Sequence, residues 1–141
     1  MMSERIEKAV KLFEEGFVCS QAVFAAYCDL LGLEESVGLK IANGFGGGIA
    51  RKQEVCGAVS GAIMAIGLKF GRTQLNDMAA HEKTYEAIHA FCDEFTRQNG
   101  SLNCRELLGC DMKEAREKGL FSTSCKQYVR SAAQILEGIL G

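Results

Sequence analysis

The chain has 141 residues, with 16 Lys and Arg against 18 Asp and Glu, a net charge of −2 and no basic run. That balance argues against nucleic acid as the main partner, and a hydrophobic content of 48% excludes a disordered chain. One domain over residues 1–141 is expected, long enough to bury a core, and seven cysteines are too sparse for a disulfide scaffold.

The opening Met1-Met2-Ser3-Glu4-Arg5-Ile6 has no apolar leader, so a cytoplasmic location without membrane insertion is expected. In a reducing compartment, cysteines this frequent are buried hydrophobes, metal ligands or catalytic thiols. Their odd number leaves at least one without a partner in the chain. Proline is absent, which suits a mostly helical chain punctuated by glycine. It also excludes a thioredoxin-like domain, which needs a cis-proline and a Cys-x-x-Cys pair.

Ser3 is placed to cap a first helix to about Glu15, with Ile6, Val10, Phe13 and Phe17 near one face and Gly16 as its stop. A second helix is expected from about Cys19 to Leu31, striped by Cys19, Val23, Ala26 and Leu30 and stopped by Gly32. A short third covers Glu35 to Asn43, followed by Gly44-Phe45-Gly46-Gly47-Gly48. From Val55 to Leu68 no residue is charged, and small residues alternate with Val59, Ile63, Met64 and Ile66. An apolar segment this short is a core helix, since a bilayer span takes about 20 residues. It is expected to begin near Cys56 and to be the most buried helix. Gly57 and Gly61, one turn apart, would let a neighbouring backbone approach closely.

After a loop to Asn76, a long helix from Asp77 to about Gln98 is closed by Gly100 and striped by Met78, His81, Tyr85, Ile88, Cys92 and Phe95. Ser101 is expected to cap a short helix holding Cys104, Leu107 and Leu108 and ending at Gly109. Asp111 caps a piece from Met112 to Lys118. Ser122 or Ser124 caps the last helix, striped by Cys125, Val129, Ala132, Leu136 and Ile139. No sustained alternating run suggests a sheet. The expected fold class is all-α, a single-domain helical bundle with a buried glycine-rich central helix.

Cys19, Cys56, Cys104 and Cys125 each fall in the first turn of an expected helix and on its inward stripe. Unsatisfied amides give a helix start roughly +0.5 of an elementary charge, which favours thiolate, the reactive form. Four such cysteines converging on one end of a bundle are the candidate catalytic residues. Cys92 is expected to be structural, on a core stripe. Cys28 is expected on the outer side of its helix as a spectator, and Cys110 in a turn where it could add a redox partner.

The spacing Cys19, Cys56-Gly57-Ala58-x-x-Gly61, Cys104, Cys125 resembles the redox-active family known by the pattern C_GCAxxG_C_C. Cys19-Ser20-Gln21-Ala22-Val23, the Gly44–Gly48 stretch and Ser101-Leu102-Asn103-Cys104-Arg105-Glu106-Leu107-Leu108-Gly109 agree with it, over roughly residues 5 to 138. The resemblance implies a small helical protein with thiol redox activity, often encoded near transporter or oxidoreductase genes. Cys28, Cys92 and Cys110 have no place in the pattern.

Three chemistries stay open. In thiol–disulfide exchange, a thiolate at a helix start attacks a disulfide and a second cysteine resolves the mixed disulfide; four cysteines allow three connectivities. No cofactor is then needed, and the partner is a redox protein or a small thiol or disulfide; selenium and metal-oxyanion species are also compatible. Alternatively, Cys19, Cys56, Cys104 and Cys125 hold zinc or an iron–sulfur cluster, although their spacing contains no Cys-x-x-Cys knuckle. In the third, the cysteines are core thiols of a structural or partner-binding protein. A homodimer is left open.

Weaker signals accompany these. Gly46, Gly47 and Gly48 could cradle an anion or cofactor phosphate, but they fail the G-x-G-x-x-G fingerprint and more simply let backbone pass close to Cys56. Glu86-Ala87-Ile88-His89 is half of a di-iron motif whose second half is missing. His81 fits a satisfied core histidine. Arg51-Lys52 either favours a Cys56 thiolate or is solvated.

Overall fold

Ile6, Ala9, Val10 and Leu12 recur at helical spacing, and burying them on one side makes the first segment an amphipathic helix, α1 (Ser3–Glu15). The computed structural model describes residues 3–141. Met1 and Met2 lie outside the described residues, as does the side chain of the expected cap Ser3. The helices α2 (Cys19–Cys28), α3 (Glu35–Ala42), α4 (Gly57–Phe70), α5 (Met78–Asn99), α6 (Cys104–Leu108), α7 (Met112–Glu117) and α8 (Lys126–Leu140) follow. A 3₁₀ turn occupies Asn43–Phe45 and a π turn Phe121–Cys125. Among the described residues there is no strand, only an isolated antiparallel bridge between Val55 and Asn103. The fold is the expected all-α bundle, and no described helix is long and apolar enough to cross a membrane.

The centre is the contact between α2 and α4. A methyl group on Gly57 would lie 2.5 Å from the Cys19 sulfur and 2.9 Å from the Phe45 carbonyl oxygen; one on Gly61 would lie 2.6 Å from the Ser20 carbonyl oxygen. Both glycines are therefore needed for this approach. The glycine-rich helix is central as expected, but the most completely buried helix is α2. Every residue from Ser20 to Cys28 is buried, because α1, α3, α4 and α8 surround it, whereas α4 leaves Leu68 and Lys69 at the surface. Polar groups on α2 are paired: Ser20 Oγ donates to the Ala42 carbonyl (2.7 Å), Gln21 Nε2 to that of Leu39 (3.0 Å), and the Tyr27 hydroxyl to Glu137 Oε1 (2.9 Å).

Several local expectations are corrected. Cys28 is not on an outer side, since α2 has none; its sulfur occupies the space a side chain on Gly38 would need. The helix α2 stops at Cys28 rather than Leu31, where the Leu33 N–H bonds back to the Cys28 carbonyl (2.8 Å) through Gly32 at φ +84°, leaving Leu30 exposed. The cap of α6 is Asn103, whose Oδ1 accepts from the Glu106 N–H (3.0 Å); Ser101 Oγ instead accepts from the Asn103 N–H (2.9 Å). Neither Ser122 nor Ser124 caps the last helix, because the π turn runs straight into α8 and Ser122 Oγ donates to the Gly119 carbonyl (3.1 Å). On α5, Met78 and Tyr85 are exposed, and the residues fully in the core are Phe91 and Phe95; nothing on α5 before Phe91 is buried.

Candidate functional site

The backbone between α3 and α4 prepares the site. Gly47, Gly48, Ile49, Ala50, Arg51 and Gln53 all take left-handed φ values, from +48° to +69°. Each non-glycine residue held there costs about 1–2 kcal/mol. The segment is fixed by long-reach hydrogen bonds, Ala50 N–H to the Gly44 carbonyl (2.9 Å), Gln53 N–H to Gly47 (3.0 Å) and Glu54 N–H to Gly48 (2.9 Å). Backbone strain of this kind persists only where surroundings over-determine it, and it clusters at functional sites. Immediately after, the Val55–Asn103 bridge is closed by Cys56 N–H donating to Leu102 (2.8 Å) and Cys104 N–H donating to Glu54 (2.7 Å). Cys56 and Cys104 thus flank one bridge.

A cleft of about 810 Å³ opens beside this frame, and all four candidate cysteines line it. Cys19 is the first residue of α2, Cys104 the first of α6, and Cys56 the residue just before α4. Cys125 ends the π turn with helical backbone angles, so the expectation that it sits at a free helix start is corrected. Cys56 and Cys104 are buried; Cys19 and Cys125 are half-buried. Cys28, Cys92 and Cys110 do not line the cleft. Cys110 is buried in a satellite cluster with Cys104, Leu108 and Ala115, against which Cys125 packs. Of the glycines proposed to bind a cofactor, Gly46 and Gly47 line the cleft. Gly48 lies behind it, where a methyl group would meet the Cys104 Cβ at 2.8 Å. The glycine stretch therefore makes room for Val18, Cys104 and its own backbone rather than for Cys56.

The thiols differ sharply. A hydrogen bond from Cys56, then the backbone amides of Gly47, Ser20 and Cys19 itself, outweigh burial and bring the Cys19 thiol down to about 7. Cys56 is pushed well up, because its proton is held toward Cys19 and burial opposes a second charge, against weaker support from the Ala58 and Val59 amides. Of the two, Cys19 is the thiol that ionises first. Burial, with the Cys19 charge nearby, raises Cys104 to about 11 and Cys125 to about 12. The helix-start amides therefore contribute at Cys19 and lose to desolvation at Cys104, whereas Cys125 opens no free helix end.

Sequence reasoning missed the rest of the lining. Phe13, Phe17, Met112, Phe121 and Tyr128 form apolar walls, with the Tyr128 hydroxyl donating to the Leu107 carbonyl (2.9 Å). Tyr128 lies three residues after Cys125 on α8, a spacing that could have flagged it. Arg51, Arg116 and Lys126 line the cleft with Glu14, which pairs with Lys126 at 3.2 Å. Arg51 faces the cleft, but the thiol shifts arise from the sulfurs, burial and amides rather than from it. Glu86 and His89 are exposed on α5, and His81 packs its ring 4.4 Å from that of Tyr85; none is at the cleft. Among the described residues, no three His, Cys, Asp or Glu side chains are gathered closely enough to hold one metal ion as they stand.

Comparison with known proteins adds three findings. No solved structure matches the chain. An uncharacterized protein of Archaeoglobus fulgidus is 30% identical over 147 aligned positions, covering 94% of this chain and 93% of the relative. Residues 17–139 match the family model described as "Putative redox-active protein (C_GCAxxG_C_C)". With that match spanning most of its length, including the four cysteines gathered at the cleft, the chain belongs to the C_GCAxxG_C_C family.

Proposed function

We propose that the protein carries out thiol–disulfide exchange, with Cys19 as nucleophile and Cys56 as resolving cysteine. The observation that carries this reading is that Cys19 and Cys56 line one cleft, with Gly57, the residue after Cys56, set directly against the Cys19 sulfur and with Cys104 and Cys125 lining the same cleft. The Cys19 thiolate attacks one sulfur of a partner disulfide; that S–S bond breaks, and the first leaving thiolate takes a proton from water. Cys56 then gives up its proton, and its sulfur attacks Cys19 in the mixed disulfide. The second partner thiolate leaves with that proton. Two electrons have passed to the partner, and a Cys19–Cys56 disulfide remains. Cys104 and Cys125 supply a neighbouring dithiol that reduces it by the same exchange, and an external dithiol resets the set. This is oxidoreductase chemistry on the thiol or disulfide groups of a redox protein or a small molecule.

The test is limited oxidation with diamide, alkylation of the remaining thiols and mass mapping of linked peptides. The first linkage expected is Cys19–Cys56, with Cys104–Cys125 following. Seven equally alkylated cysteines after oxidation would remove the exchange mechanism. Stoichiometric iron or zinc in protein purified without oxygen would replace it with metal binding.

A further inference from the structure

The charge of the cleft runs against that of the chain. The protein as a whole carries −2, yet three cations, Arg51, Arg116 and Lys126, line the cleft against a single acid, Glu14. Glu14 is engaged by Lys126. Neither Arg51 nor Arg116 has an ion-pair or hydrogen-bond partner for its guanidinium among the described residues, although other basic side chains on the surface, such as Lys8, Arg97, Lys118 and Arg130, are paired. Both arginines are exposed, and the backbone that carries each is held in place. Arg51 belongs to the left-handed segment, where its backbone N–H donates to Gly46 (3.2 Å). Arg116 is on α7, which Asp111 caps through the Glu114 N–H (2.8 Å). Both line a cavity of a size that suits a small molecule, with apolar wall from Phe13, Phe17 and Phe121.

From this we infer that the disulfide reduced at Cys19 and Cys56 is a low-molecular-weight one bearing carboxylates, whose acid groups are held by Arg51 and Arg116 while its sulfurs reach the thiol pair. The inference rests on the exchange reading above and adds the substrate class to it. A guanidinium presents a planar set of donors that matches a carboxylate in two-point fashion, so two unpaired arginines lining one cleft select for charge and for geometry. The apolar walls accept the methylene segments between acid and sulfur. The step balances as written above: one disulfide takes two electrons and two protons and leaves as two thiols, and the protein is left with one disulfide.

Three disulfides of nearly equal size test this: 3,3′-dithiodipropionate (two carboxylates), bis(2-hydroxyethyl) disulfide (neutral) and cystamine (two ammonium groups). Each single-turnover rate with reduced protein is divided by the rate of the same disulfide with free 2-mercaptoethanol, which removes differences in leaving-group chemistry. The expected order is dianion, then neutral, then dication, with about a tenfold preference for the dianion over the neutral compound at low salt that shrinks at high salt. The double variant R51Q/R116Q should bring that ratio to about one. K69Q, which removes one positive charge from the far end of α4, should leave the ratio in place. Equal normalised rates for all three compounds would overturn the anion assignment and leave exchange standing. If no disulfide reacts, protection of Cys19 from iodoacetamide by suberate, the unreactive carbon isostere of the dianion, decides. Protection that disappears in R51Q/R116Q would keep the anion site and remove exchange, whereas no protection would remove both.

Discussion

Gly57 faces the Cys19 sulfur with no room for a side chain between them: a methyl group there would stand 2.5 Å from Sγ. The residue after one cysteine of the pair is thus the packing surface for the other. A glycine in this position costs helix propensity and returns the close approach that the thiol pair needs.

Gly57→Ala is expected to destabilise the protein by about 1–3 kcal/mol through overpacking, because the alanine methyl also meets the Phe45 carbonyl oxygen. Gly67→Ala, in the same helix but with nothing within 4 Å of its added methyl, should stabilise by about 0.5–1 kcal/mol. Urea unfolding of the two variants measures both. A Gly57→Ala protein as stable as wild type would mean that the α2–α4 approach is looser than described.

Alkylation of Cys19 by iodoacetamide should rise with pH through about 7, where its thiol gives way to thiolate, and then level off. The sign follows from the lowered value: above it Cys19 is ionised while Cys56, Cys104 and Cys125, all raised, stay protonated and slow. Cys56→Ala removes the donor and should cut the Cys19 rate at pH 7 about tenfold, as the thiolate fraction returns toward that of an ordinary thiol. Cys56→Ser keeps an O–H donor and should retain most of the rate. Equal rates in the alanine variant and wild type would place the acidity of Cys19 in the backbone amides alone.

Oxidation should stiffen the protein. A Cys19–Cys56 link would close a loop of about 38 residues, for which the chain-entropy relation gives about 4 kcal/mol of added stability. Guanidinium unfolding with and without reductant reads this as a shift in midpoint, with mass mapping on the same samples. An oxidised protein carrying that link but unfolding at the reduced midpoint would show that the bond distorts the α2–α4 contact.

Asn103→Ala should cost about 1 kcal/mol, the usual loss for an N-cap, and Ser101→Ala less, because the side chain accepting the Glu106 N–H belongs to Asn103. Denaturant midpoints for the two variants check the order. The reverse order would restore Ser101 as the cap.

The helices were legible because their signals are local. Apolar periodicity laid out α1 and α8, an uncharged run marked α4, and glycines after Glu15, Asn99 and Leu108 supplied the left-handed stops at Gly16, Gly100 and Gly109. The cysteine spacing led to four residues that do line one cleft. What escaped was set by tertiary surroundings. The ring of helices around α2 buries Cys28, and no stripe on α2 alone announces that. Ile49, Ala50, Arg51 and Gln53 have no intrinsic preference for left-handed backbone and are held there by hydrogen bonds from both sides. Cys104 sits at a helix start, which favours thiolate, and Cys125 at the end of the π turn, yet burial beside an ionised Cys19 keeps both protonated. Arg116 and Phe121 join the site only because α7 and the π turn fold back over it.

The two sides of the cleft are built to different stiffness. On the side of residues 44–54, the mirror-image turn is locked by backbone bonds and by Gln53, whose side-chain amide donates to the Cys110 carbonyl (2.8 Å). It has nowhere to swing, because relaxing to ordinary backbone angles would break those bonds together. The opposite side, from Met112 through Phe121 to Cys125, rests on a small cluster of its own around Leu108 and Ala115, apart from the main core, and local opening favours such lightly anchored segments. Because Cys110 belongs to that cluster, the Gln53 bond joins the strained turn to it, and Cys104 and Cys125 rest on a footing separate from the one that carries Cys19 and Cys56.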